Sequence, residues 1–142
     1  MATFLVAGHG TFASGVKSTL EILLGSTDKA HFINTYIDDC LPADLVSEFF
    51  SKVSDDEKVV MLADFYGGSI AQILQQWLSR PNTYLIAGFN LAVIFELYVM
   101  DDNEITGELI EAVVEESKQL LVYVNKKLEE ADPGGEGDDF FD

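Results

Sequence analysis

Thr3-Phe4-Leu5-Val6-Ala7-Gly8-His9-Gly10 is the stretch that decides how this chain folds. Thr3 to Ala7 is an apolar, β-prone run, and Gly8-His9-Gly10 breaks it. A helix-forming run begins near Phe12. The pattern predicts a buried strand over 2–7 that carries one imidazole to its carboxyl end, beside a helix N-terminus. The first N–H groups of a helix have no intrahelical partner and the dipole is positive there, so that end favours anions. A second element repeats the design. Val59 to Leu62 reads as a strand, Asp64 follows, and Gly67-Gly68-Ser69 opens another helix. One histidine, one carboxylate and two glycine-opened helices point to phosphohistidine chemistry.

Outward from these two elements, strand-like and helix-like segments alternate. Residues 14–24 carry Val16, Leu20, Leu23 and Leu24 at helical spacing, with Gly25 as a stop. His31 to Ile37 alternates and is rich in β-branched and aromatic residues, so it reads as a strand. Pro42 suits the first turn of a helix over 42–53 that buries Leu45, Val46, Phe49 and Phe50. Lys58 to Ala63 is the near-continuous apolar run of a strand covered on both faces. A helix follows over 68–79 with Ile70, Ile73, Leu74 and Trp77, then a strand from Thr83 to Ala87. Gly88-Phe89-Asn90 opens a helix that runs to about Tyr98. Four β–α units predict an α/β, doubly wound, three-layer sandwich with a four-stranded parallel sheet and right-handed crossovers. Ligands of such sheets lie beyond the carboxyl ends of the strands, at a switch in strand order. His9, Asp64 and the Gly88-Phe89-Asn90 turn all fall on that edge.

The last third reads differently. Residues 106–118 form an amphipathic acidic helix, and Asp101-Asp102-Asn103 breaks the chain before it. Leu120 to Val124 consists of strong β formers and reads as a fifth strand, although the flanking Lys and Glu favour helix. The acidic tail, 129–142, carries Pro133-Gly134-Gly135-Glu136-Gly137 and reads as disordered, leaving residues 1–128 as one domain.

Composition narrows the function. With 142 residues, 48% of them hydrophobic, the chain can fill one core. Its net charge is −17, and the tail holds seven acids and no base, which leaves −10 on residues 1–128. Such a surface repels nucleic acid and suits a basic protein partner. Cys40 is the single cysteine, which excludes an intrachain disulfide and fits a reducing cytoplasm. The first residues do not read as a secretory leader, and no apolar stretch is long enough to span a bilayer. A cytoplasmic location is therefore expected, with contact to a membrane only through partners. No metal or cofactor is expected: the sequence clusters no zinc ligands and carries neither GxxxxGK[ST] nor GxGxxG. Ser14 and Ser18 have no histidine partner for serine catalysis, His31 reads as an edge residue, and Trp77 as core.

His9 is the candidate nucleophile. A free imidazole titrates near 6.5, so a neutral ring nitrogen is available to attack phosphorus at physiological pH. Such a ring needs a carboxylate to set its tautomer and to stabilise the charge formed on attack. Asp64 is the first candidate; Asp38 and Asp39 are rivals without an adjacent glycine-opened helix. The plain alternatives are a turn histidine and a helix-capping aspartate. Gly10 and Thr11 on one side, and Gly67, Gly68 and Ser69 on the other, are candidates to hold phosphoryl oxygens.

Phe4-Leu5-Val6-Ala7-Gly8-His9-Gly10, followed by Ser18-Thr19-Leu20-Glu21-Ile22-Leu23-Leu24-Gly25, resembles the start of the mannose-family EIIA component of the bacterial phosphoenolpyruvate–sugar phosphotransferase system. Asp64-Phe65-Tyr66-Gly67-Gly68-Ser69 resembles that family's D-x-x-G-G-S segment. Ala87-Gly88-Phe89-Asn90-Leu91 with Glu96 resembles its G-x-N-x-P-x-x-x-E segment. The three motifs stand in order between residue 2 and about residue 100. The resemblance implies that His9 is phosphorylated by the phosphocarrier protein HPr, that Asp64 is its hydrogen-bonded partner, and that the phosphoryl group passes to an EIIB component. It implies a flavodoxin-like fold with a fifth, antiparallel strand exchanged in a homodimer. Two positions depart from the family pattern, where Ile70 and Ala92 stand in place of prolines. Two alternatives share the fold: the phosphotransfer subunit of dihydroxyacetone kinase, and a non-catalytic regulatory module in which His9 is structural.

Overall fold

The computed structural model describes residues 2–131. Four strands alternate with helices: β1 (Ala2–His9), α1 (Phe12–Leu24), β2 (Ala30–Thr35), α2 (Pro42–Ser51), β3 (Lys58–Ala63), α3 (Ser69–Gln75), β4 (Thr83–Ala87) and α4 (Leu91–Tyr98). Two further helices, α5 (Gly107–Lys118) and α6 (Val124–Ala131), complete the chain as described. The sheet is parallel throughout, in the order β2-β1-β3-β4.

Strand periodicity divides the core in two. Side chains of a strand alternate between faces. Phe4 and Val6 of β1, with Val60 and Leu62 of β3, pack under α1, α4 and α5 through Val16, Leu20, Ile94, Leu97 and Val113. Leu5 and Ala7, with Val59, Met61 and Ala63, face α2 and α3 through Val46, Phe49, Phe50, Ile70 and Leu74. Trp77 lies in this second layer, its ring 4.1 Å from that of Phe50 and nearly parallel to it. From β1 the chain moves first to β2 on one side and later to β3 on the other. The switch in strand order therefore lies between β1 and β3, at the carboxyl ends of the two most buried strands.

Three segments differ from the expectation. β2 stops at Thr35 rather than Ile37, because Tyr36 turns into the left-handed region at φ 60°. The helix expected over 68–79 tightens after Gln75 into a 3₁₀ turn, Gln76–Ser79, ahead of Pro81. Leu120 to Val124 does not form a strand in the described chain: 119–121 turns out of α5, and Val124 already belongs to α6. Strand formers need a ladder partner, and none pairs with this segment among the described residues; without it the helix-favouring Lys-Lys-Leu-Glu-Glu sequence prevails. Leu121 is consequently 89% exposed. Glu129, Glu130 and Ala131 close α6, and the rest of the acidic tail lies outside the described residues.

Asn90 joins two helices of one layer, α4 and α5, just past the carboxyl end of β4. Its Oδ1 accepts from Val93 N–H (3.1 Å), capping α4, and its Nδ2 donates to Ser117 C=O (2.7 Å) at the end of α5. Asn90→Ala removes the cap and the side-chain donor to the Ser117 carbonyl, which keeps only the Leu120 N–H at 3.0 Å. The substitution is expected to lower unfolding free energy by about 1–3 kcal/mol, as measured by urea titration.

Candidate functional site

The site is built by register. Ala7 pairs with Ala63 across the β1–β3 ladder, so His9 and Asp64 leave neighbouring strand ends side by side. The His9 backbone N–H donates to Asp64 Oδ2 at 2.8 Å, and His9 Nδ1 stands 2.6 Å from the same oxygen. Asp64 Oδ1 accepts from Phe65 N–H at 3.0 Å. Both carboxylate oxygens are thus engaged. The Asp64 side chain is 11% exposed and that of His9 40%, so the acid is sheltered while the ring meets solvent. Burial pushes the Asp64 carboxyl up, but hydrogen bonds from the His9 backbone and ring, the imidazole's charge and the Phe65 N–H outweigh it. The net result lies below the ordinary carboxylate value, so Asp64 is an anion at neutral pH.

A carboxylate can only accept, so Nδ1 carries a proton, and in the neutral ring Nε2 holds the lone pair. Ser69 Oγ lies 3.3 Å from Nε2, and Tyr36 Oη lies 2.9 Å from Ser69 Oγ. Two aromatic rings flank the imidazole. Tyr36, just past β2, stacks at 5.2 Å between centroids, and Phe65, just past β3, at 5.5 Å. Tyr36 holds its place at a backbone angle that costs a non-glycine residue about 1–3 kcal/mol.

The glycine turns frame this centre. Gly10 adopts φ 58°, which only glycine takes readily, and its N–H donates to Thr35 C=O at 2.8 Å. That turn starts α1 directly after His9, with Thr11 as its cap residue. Asn34 holds the same turn from β2: its Oδ1 accepts from Ser14 N–H (3.0 Å) and its Nδ2 donates to Ser14 Oγ (3.1 Å). On the other side, Gly68 caps α3, and a Cβ there would meet the Phe65 ring at 2.6 Å. Glycine at this position is what lets the Phe65 ring fold back toward His9.

His9, Asp64 and Ser69, expected from the sequence, therefore meet, with Gly10, Thr11, Gly67 and Gly68 on the adjoining turns. The rivals do not join them: Asp38 turns to accept from Cys40 N–H at 2.9 Å, and Asp39 is exposed. Asp64 is not the cap of α3, where Gly68 stands without a side-chain cap bond. His31 is an exposed β2 residue whose ring meets Phe49 edge-on at 5.1 Å. Tyr36, Phe65 and Asn34 escaped the sequence reading. Phe65 sits next to Asp64 and carried that positional hint; Tyr36 carried none, since its turn breaks a strand pattern that continues to Ile37. Ile70 and Ala92, where the family has prolines, fall in the first turns of α3 and α4. Proline is tolerated there because the N–H makes no intrahelical bond, so either residue satisfies the backbone. Among the described residues no cluster of His, Cys, Asp or Glu is placed to hold a metal ion, and no helix is long and apolar enough to cross a membrane.

Solved structures share this architecture. One is a proposed permease of the phosphoenolpyruvate-dependent sugar phosphotransferase system from Klebsiella pneumoniae; it is 25% identical with a TM-score of 0.80, over 89% of this chain and 93% of that one. Another is the phosphotransferase-system IIA protein associated with the fucose utilization operon of Streptococcus pneumoniae, 26% identical with a TM-score of 0.74, over 89% and 96% of the two chains. The mannose/sorbose-specific IIA subunit from Enterococcus faecalis is 15% identical, with a TM-score of 0.69 over 85% and 92%, and shares the fold. The family model described as the phosphotransferase-system fructose IIA component, of the mannose EIIA type, matches residues 3–114. With the match spanning most of the domain and the motif residues gathered at one strand switch, the chain belongs to the mannose-type EIIA family of sugar phosphotransferase system components.

Proposed function

We propose that this protein is a phosphohistidine carrier: His9 Nε2 accepts a phosphoryl group from phospho-HPr and passes it to an EIIB component. The observation that carries this reading is the 2.6 Å link between His9 Nδ1 and Asp64 Oδ2, which commits the ring proton to Nδ1 and leaves Nε2 as the nucleophile. In the forward step the Nε2 lone pair forms a bond to phosphorus. The donor's N–P bond breaks, and its electron pair returns to the donor's imidazole. The proton on Nδ1 stays, so the His9 ring becomes cationic against the Asp64 carboxylate. No proton needs to move between the proteins, and positioning and electrostatics carry the rate. Ser69 Oγ, the Thr11 N–H and the N–H groups of the Gly67-Gly68 turn are the donors available to phosphoryl oxygens, the Gly10 N–H being held by Thr35 C=O. An acidic surface favours a basic donor protein. Transfer from EIIA to EIIB would repeat the same step in reverse at His9.

A homodimer belongs to the same reading. Leu120 to Val124 stands exposed after α5, and β4 is an open edge of the sheet. Pairing with a second copy would supply the ladder that a single chain withholds from these strand formers.

Incubation with phosphoenolpyruvate, Enzyme I and HPr should add one acid-labile phosphoryl group, seen by intact mass, and His9→Ala should add none. A labelled His9→Ala protein sinks the assignment. Asp64→Asn should slow phosphoryl acceptance by about 10²-fold, the lower range for losing an acid–base or orienting group. The same variant has a stability signature. Because the folded Asp64 pKa lies below its ordinary 3.8, the carboxylate's contribution is full above that value and is lost as pH falls through the folded value. The stability gap between wild type and Asp64→Asn should therefore hold at neutral pH and close in strong acid. A gap that widened in acid would overturn the assigned charge state. Sedimentation equilibrium should give a dimer for the full chain and a weakened one for Leu121→Asp; a monomeric wild type would remove the exchanged strand.

A further inference from the structure

The aromatic pair around His9 lies outside the buried core: Phe65 is 51% exposed, and Tyr36 is 56% exposed, strained in its backbone, and still stacked on the imidazole. Its hydroxyl does one thing, which is to reach Ser69 Oγ at 2.9 Å. The direction of that chain follows from Asp64. With the proton on Nδ1, Nε2 accepts, so the Ser69 hydroxyl donates to it. The Ser69 oxygen is then left to accept the Tyr36 O–H. Tyr36 thus aims the Ser69 proton at the place where the new N–P bond must form.

We infer that Tyr36 and Phe65 are positioning residues that stabilise the phosphorylated ring and so set the lifetime of the phosphohistidine. The inference rests on the phosphocarrier reading. Once Nε2 has given its lone pair to phosphorus it no longer accepts from Ser69. The Ser69 proton then turns to a phosphoryl oxygen, held there by Tyr36. At the same moment the ring gains a positive charge while keeping its Nδ1 proton. A cation against the face of an aromatic ring is attracted by the ring quadrupole, and two such rings lie 5.2 and 5.5 Å away. The absent side chain at Gly68 gives Phe65 the room to be one of them. Both effects favour the phosphorylated state over the free one, and slow its loss to water.

The test uses the full chain and phosphoramidate, a small N-phosphoryl donor that needs no docking surface. Loss of the phosphoryl group is followed by intact mass after the donor is removed. Tyr36→Phe keeps the ring and should shorten the lifetime about two- to tenfold, the worth of one hydrogen bond. Ser69→Ala should do the same, and Tyr36→Phe should add nothing in the Ser69→Ala background. Phe65→Leu should cost about two- to fivefold in either background. In the unphosphorylated protein, Tyr36→Phe should move the His9 Nε2 nitrogen resonance, because the Ser69 proton is no longer held on it. Equal lifetimes for wild type and Tyr36→Phe, or a full additional loss in the Ser69→Ala background, overturn the inference while leaving the carrier intact. A wild type that takes no phosphoryl group from either phosphoramidate or phospho-HPr overturns the carrier reading and this one with it.

Discussion

Everything at the active edge depends on the buried parallel pairing of β1 with β3. Both strands are covered on both faces, so neither can slip by one residue without sending a row of apolar side chains to the wrong layer. Because the register is held this firmly, His9 and Asp64 emerge at one point. One carboxylate oxygen then grips both the backbone and the ring of His9. The core thus determines the tautomer of the imidazole. Helix packing fixes strand register, strand register fixes the carboxylate, and the carboxylate decides which nitrogen is free.

Around this rigid pair the supporting shell comes from chain segments that could not be ordered by local preference alone. Tyr36 holds a left-handed conformation that its side chain disfavours, and Gly68 leaves a gap that the Phe65 ring fills. Strain of this kind persists where the surroundings over-determine it, and it gathers near reactive groups. Here it brings the Tyr36 hydroxyl and ring to a partly exposed imidazole. Asn34 and Asn90 do quieter work. Each spends both ends of its amide on tying a helix terminus to a neighbouring element.

Much of this was legible in the chain. The apolar runs at 2–7, 58–63 and 83–87 have the length of buried parallel strands, Gly8 and Gly88 ending the first and last, and they matched the observed strands closely. His9 and Asp64 stood out because each ends such a run before a glycine-opened helix. Leu120 to Val124 shows the limit. Its residues favour a strand, yet a strand exists only against a partner, and none faces the segment within the described chain. Tyr36 shows another limit, for a period-two pattern does not reveal where the last residue will turn out of the sheet.

By itself the sequence determined the alternation of strands and helices, the two-layer core and the placing of His9 and Asp64 at strand ends, because hydrophobic periodicity and turn residues are local properties. Only the tertiary structure decided that β1 and β3 are neighbours, that Asp64 rather than Asp38 or Asp39 meets the imidazole, and that Tyr36, Ser69 and Phe65 surround it. Those facts depend on strand order and on contacts between residues up to sixty positions apart, such as His9 with Ser69. No local pattern encodes such contacts, since they are set by which packing buries the most apolar surface at once.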